Sequence, residues 1–390
     1  MALYLLREGE LAVDRCKRNG IITVTEPTKP LVFMRNPVGL LMVSKGAGMK
    51  NLIKTLIFIL ILAVLVFAVQ REMIPFQWQD TMQSVTFHEK TEEDSVDVLV
   101  CGTSSVMVGI SPLIIYEKAQ ITAHVRGNSR QPPQVMYLDV KDALRSQNPE
   151  IVVCSASMLL ENFDVDREEV RVRRGMDYMP LTVDKLRVAK AITDESSWQT
   201  LSSYIMPIGR YHSRWTEIRE GLQVGDRNEY DFKHGQYAVY KVKAQEDNSE
   251  ENMQDRTEVS VTESSMKWYE KTAELCRENG IELLLVTTPD QRWTMGKHEA
   301  VAAAAEKLGA GYLDYNVDGI TEKCGLDWGR DFYDDHHCNA GGSVKLTNYF
   351  TDYLTDNYGL EASDVSEATQ KQFEKDIEHF HEVLEKYGFE

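Results

Sequence analysis

From Leu52 to Val69 almost every position is Leu, Ile, Val, Phe or Ala, interrupted only by Lys54 and Thr55. A run of that length and polarity predicts a single bilayer-spanning helix, here an anchor over 49–70. Lys45, Lys50 and Lys54 flank its N-terminal side, which by the positive-inside tendency leaves the chain after about residue 70 outside the membrane. Gln70, Arg71 and Glu72 follow where a cleaved signal peptide would carry a small-x-small site, so an uncleaved anchor is the better reading. Residues 1–48 show no helical or strand periodicity, whereas Met49-Lys50-Asn51-Leu52-Ile53-Lys54 has the look of a bacterial n-region. The expectation is that Met49 is the true start and that 1–48 is translated upstream sequence.

Beyond a juxtamembrane linker, 71–95, short apolar runs alternate with amphipathic patterns. The runs predict strands at 96–101, 121–125, 151–155, 281–287 and 312–315, and the periodicity predicts helices at 134–146, 263–279, 298–308 and 340–357. Such alternation implies a mostly parallel sheet covered on both faces, with ligands at the carboxyl ends of its strands. It breaks over 158–262, which is too long for a plain loop and reads as an inserted cap, with 244–256 as a flexible return. Within the cap, Arg167, Arg171, Arg173 and Arg174 lie among acids and read as a solvated salt-bridged face. Over 358–390, Phe373, Ile377, Phe380 and Leu384 recur at helical spacing, the stripe of a surface helix packed on the body.

Composition narrows the function little. A net charge of -18 argues against nucleic acid as a partner. Six cysteines show no paired metal spacing, so no metal or cofactor is expected; Cys324 and Cys338 flank the candidate loop and could pair outside the cytoplasm.

The chemistry lies in two segments. Val98-Leu99-Val100-Cys101-Gly102-Thr103-Ser104-Ser105 reads as a buried strand running into a Gly/Ser turn, and Asp334-Asp335-His336-His337-Cys338-Asn339-Ala340-Gly341 opens a helix after the last strand. Taken singly both signals are weak. Acid-x-x-His also occurs at Asp231/His234, Asp376/His379 and Glu378/His381, and a Ser after a strand is often a helix N-cap. Together they occupy two places that a parallel sheet brings to one rim.

The ordered set Gly102-Thr103-Ser104, Gly127, then Asp334 and His337 resembles the SGNH (GDSL-like) hydrolase superfamily, in particular its membrane-anchored branch. That branch includes the D-alanylation protein of teichoic acid synthesis and the alginate and peptidoglycan O-acetyltransferases. The likeness covers 50–160 and 263–357. It implies an α/β, flavodoxin-like three-layer sandwich, with Ser104 as nucleophile, His337 as general base and Asp334 as the group that fixes the imidazole. The amides of Ser104 and Gly127 are the implied oxyanion donors. Two positions depart from the pattern: Thr103 replaces an Asp, and Ser155-Ala156-Ser157 stands where the family supplies an oxyanion Asn, leaving Asn128 or Ser155 as candidate third donor. Tyr211, His212, Arg214 and Trp215 form a polar aromatic segment that either lines an acceptor site or knots the cap. The implied activity is acyl transfer or ester hydrolysis on a cell-surface glycan or similar polymer. A membrane-bound O-acyltransferase is the partner the resemblance implies. A simple carbohydrate or lipid esterase and a non-catalytic scaffold of an envelope complex remain the alternatives.

Overall fold

The computed structural model describes residues 22–26, 29–33, 49–75, 87–220 and 233–389. Five strands form one open, all-parallel sheet: β1 (Val98–Gly102), β2 (Ala123–Gly127), β3 (Ile151–Ser155), β4 (Glu282–Thr287) and β5 (Gly311–Asp314). Their order is β2-β1-β3-β4-β5, with Val98 opposite both Ala123 and Ile151. The chain adds β2 on one side of β1 and then crosses to place β3 on the other. The reversal opens a crevice at the carboxyl ends of β1 and β3, where open α/β sheets bind ligands.

Parallel strands covered on both sides must be apolar on both sides, and the three central strands are. Leu99, Cys101, Val152 and Leu285 face one layer of helices, α4 (Pro133–Ala143), α7 (Glu263–Asn279) and α8 (Met295–Leu308). Val98, Val100, Val153 and Val286 face the other, α2 (Ser104–Gly109), α3 (Pro112–Ala119) and α9 (Ala340–Tyr358). Each helix end has a local cause. Gly280, Gly309 and Gly359 stop α7, α8 and α9 in the left-handed conformation, and the Asn339 side chain caps α9 by accepting from Gly342 N. The last helix, α10 (Glu367–Tyr387), starts from Ser366 and buries Phe373, Phe380 and Leu384 against Leu113 and Ile114 of α3, as its periodicity predicts.

Before the sheet, α1 (Met49–Met73) is long and apolar enough over Asn51–Met73 to cross a membrane; its apolar run is exposed, and only Gln70 and Met73 near its end are buried. Within 1–48, where no periodicity is expected, Ile22–Glu26 pairs antiparallel with Lys29–Phe33; the β-branched residues Ile22, Val24 and Val32 favour that pairing.

The region 158–262 contributes α5 (Glu169–Met176) and α6 (Val183–Glu195) and belongs to the same contact unit, Gln70–Glu390, as the sheet. Two expectations fail here. Arg173 is not a solvated surface charge: it is buried, bonded to Glu169, Asp177 and Ser203, and stacked 3.8 Å over the Tyr204 ring. The 244–256 return is tied down, with Gln245 N donating to Trp328 O, Asn252 Nδ2 to Gln291 O, and Gly296 N to Asp255 O.

Beneath β2 lies a buried ionic cluster. Arg126 is 1% exposed and bonds Asp142 at 2.9 Å and Asp139 at 3.1 Å, while His88 meets the same Asp142. Burial outweighs Arg126 at Asp139 and pushes its carboxyl up to about 7. At Asp142 the cost of burial is overcome by His88 and Arg126, which hold it well below the usual carboxylate range. A folded state that keeps a proton on Asp139 binds more protons than the unfolded chain, so this group makes stability fall as pH rises from the ordinary carboxylate range to about 7. Asp142 has the opposite sign and acts only at lower pH. Asp139→Asn is therefore expected to remove that fall, seen as a flat thermal midpoint across the same pH interval.

Candidate functional site

β1 ends at Gly102 because nothing larger fits. A Cβ there would lie 2.5 Å from Ser155 Cβ and 2.7 Å from Val106 Cγ2, so the strand turns hard against β3. Thr103 takes the N-cap position of α2 in extended conformation and makes no side-chain cap bond, which leaves Ser104 as the first helical residue. A capping role for Ser104 is thus replaced by an outward-facing one. Gly102→Ala is expected to cost about 1–3 kcal/mol through overpacking and to slow reaction at Ser104 by moving this turn. A thermal melt and a labelling time course would both register it.

The other half of the site is a short loop after β5. Phe332 and Cys338 form an antiparallel bridge, Tyr333 N donates to His337 O, and Asn339 N donates to Asp331 O, so the intervening residues are held as a closed turn. Asp334 caps it from inside, its Oδ1 accepting from His336 N at 3.0 Å and His337 N at 2.8 Å. Its Oδ2 meets His337 Nδ1 at 2.8 Å, and His337 Nε2 meets Ser104 Oγ at 2.7 Å. Burial acts to raise the Asp334 pKa, but the His337 ring and the His336 amide overcome it and hold this carboxyl well below the usual range. A carboxylate only accepts, so the proton of a neutral His337 ring sits on Nδ1 and Nε2 receives the Ser104 hydroxyl proton. Tyr333 stacks on the His337 ring, 5.3 Å between centroids and 12° between planes, fixing its plane.

Ser104 opens onto a cleft of about 310 Å³. One wall is Thr103, Ser104 and Ser105; another is Ser157, Met158 and Leu160 after β3, with Arg130 and Glu161 at the edge. The third comes from the loop after β4, Asp290, Arg292 and Trp293, together with His336. The first amides of α2 have no intrahelical acceptor and lie at this wall.

Other expected site residues go elsewhere. Gly127 and Asn128 do not line the cleft: Asn128 is 1% exposed, its N–H donates to Gly102 O and its Nδ2 to Gln131 Oε1. Ser155 is buried too, within hydrogen-bond distance, 3.2 Å in each case, of the Thr103 and Ser157 hydroxyls, so the two residues on either side of it in that chain, Thr103 and Ser157, line the cleft and Ser155 does not. Tyr211, His212, Arg214 and Trp215 are also absent from its lining. Tyr211 donates to Asp177 and Arg214 to Met73 O, His212 turns to Gly209 O, and Trp215 is exposed, so two of the four are held by contacts within the cap and none by the cleft. Cys324 and Cys338 are free thiols. Of the other acid-x-x-His pairs, Asp231 lies outside the described residues, and His234 meets Asp376 of α10 at 3.3 Å. His336, Arg292 and Ser157 are the site residues that spacing did not single out.

Asp334, His336 and His337 offer ligand atoms within 4.8 Å of one another. Both ring nitrogens of His337 are, however, engaged in the run from Asp334 to Ser104, and a cation there would have to displace one of those bonds. The arrangement as it stands is suited to activating a hydroxyl nucleophile. No protein-family model matches the chain, and no curated protein matches it either.

Proposed function

We propose that the chain is an extracytoplasmic serine acyltransferase or esterase with a flavodoxin-like SGNH fold, anchored by α1 and working through an acyl-Ser104 intermediate. The observation that carries this reading is the continuous hydrogen-bonded run Ser104–His337–Asp334, in which an acceptor nitrogen meets a serine hydroxyl and an ionised acid sits behind the ring. The β2-β1-β3-β4-β5 order is that of flavodoxin-like sheets, and Ser104 follows β1 beside the switch point, where that topology binds ligands. His337 takes the Ser104 proton as Oγ attacks the acyl carbon and returns it to the departing alcohol. The open amides at the start of α2, with Ser157 nearby, are the donors available to the oxyanion. The substrate class is an acyl ester of a cell-surface glycan or teichoic-acid-like polymer, and an integral-membrane acyltransferase is the natural acyl donor for an enzyme held at the membrane.

A fluorophosphonate probe tests the reading. The wild-type chain should be labelled at Ser104 and Ser104→Ala should not. Absence of labelling in the folded wild type would favour the scaffold alternative. Release of free acid with no acylated oligosaccharide would favour the esterase.

A further inference from the structure

Next to the Ser104–His337–Asp334 run stands a second imidazole–carboxylate pair. His336 Nδ1 lies 2.6 Å from Asp335 Oδ1, and the ring packs against His337 with centroids 3.8 Å apart. Asp335 is set in place from the neighbouring loop: Arg292 Nε approaches its Oδ2 at 3.4 Å while the same guanidinium grips Asp290 at 3.0 and 3.1 Å, and Gln291 N donates to Asp335 O at 3.0 Å. His336 lines the cleft, and among the described residues no side chain is bonded to its Nε2.

We propose that His336 is a specificity-determining residue whose Nε2 accepts a hydrogen bond from a hydroxyl adjacent to the reacting one, so that the site prefers a vicinal diol or sugar as acyl acceptor. The inference rests on the acyl-Ser104 reading and adds the group that reads the acceptor. Burial, and then the adjoining His337, lower the proton affinity of the His336 ring. The ring is therefore neutral near pH 7, its one N–H goes to Asp335, and the Nε2 lone pair is left open on a residue that lines the cleft. A lone pair recognises a hydroxyl donor and repels a phosphate or carboxylate oxygen. In the transfer step the acceptor's reacting oxygen bonds to the acyl carbon and the C–Oγ bond to Ser104 breaks. The acceptor's proton passes through His337 Nε2 to Ser104 Oγ, and His336 neither gains nor loses one. Arg292 acts here as a positioning residue, holding Asp335 behind the His336 ring.

The test uses the detergent-solubilised full chain with p-nitrophenyl acetate as acyl donor and equal concentrations of propane-1,2-diol and propan-1-ol as competing acceptors. The readout is the ratio of diol ester to monoalcohol ester, which does not depend on absolute rate. Loss of one hydrogen bond in His336→Ala should lower that ratio about five- to tenfold. His336→Gln, which keeps an acceptor atom, should recover part of it, and Arg292→Ala should shift it in the same direction as the alanine variant. A ratio in His336→Ala equal to that of the wild type overturns the proposal. Failure of the wild type to take up fluorophosphonate is a separate result, and it overturns the acyl-serine reading itself.

Discussion

Replacing His337 by alanine is expected to reduce ester turnover by about 10^4- to 10^6-fold, because a serine hydroxyl has no competent base without it. His337 Nε2 lies 2.7 Å from Ser104 Oγ, and no other hydrogen-bond partner of that hydroxyl is present among the described residues. Ser104→Ala should cost as much, and the double variant should cost no more than either single one, since the two residues act as a unit. Asp334→Asn is the subtler case. An amide carbonyl can still accept from the loop N–H groups, but its NH2 facing His337 Nδ1 would drive the proton onto Nε2, the nitrogen that must be bare. A loss of about 10^4-fold with the fold intact is the expected result. Steady-state kinetics with circular dichroism on each variant would decide, and a His337→Ala enzyme retaining a tenth of wild-type turnover would remove the basis for the functional reading.

Arg126→Met is expected to produce the largest loss of stability. The Asp139 and Asp142 side chains are each 4% exposed, and taking away the cation between them leaves Asp139 without its buried partner and removes from the ionised Asp142 its one fully buried cation. Breaking a buried pair from one side costs about 3–5 kcal/mol, which corresponds to a drop of roughly 5–10 °C in the thermal midpoint. Replacing Arg126, Asp139 and Asp142 together by apolar residues of similar volume should recover most of that drop. The cluster also communicates with the site: Gln131 donates to Asp139 and accepts from Asn128, whose N–H holds Gly102 O just before the Ser104 turn. Arg126→Met should therefore slow fluorophosphonate labelling at temperatures where the protein remains folded. A variant with an unchanged midpoint would mean that the cluster is not desolvated.

Hydrophobic patterning makes much of this fold legible, and its errors have a common cause. The helix Glu263–Asn279 matches its periodicity to the residue, because the pattern is long and Gly280 ends it. The first two strands are placed two residues early. Val96 and Ile121 are apolar and buried but precede the ladder: the Val96 amide goes to the Gln147 side chain, and pairing begins at Val98 and Ala123. Apolar runs report burial, whereas strand limits are set by hydrogen bonding. In the site, Ser104, Asp334 and His337 are legible because Ser104 follows the first strand directly and Asp334 and His337 share the one short turn that leads into α9. His336, Arg292 and Ser157 are not, since their roles arise only where the loops following β3, β4 and β5 meet. For the Tyr211 to Trp215 segment the pattern leaves two readings open, because dense hydrogen-bonding aromatics serve packing as readily as ligands; Tyr211 is bonded to Asp177.

Ser104 and His337 are 233 positions apart in the chain. A polypeptide emerging stepwise across a bilayer would expose its serine long before the imidazole arrives. On the acyl-serine reading proposed above, nascent and partly threaded molecules would be inert toward esters, and competence would appear abruptly with the last crossover rather than accumulating during synthesis.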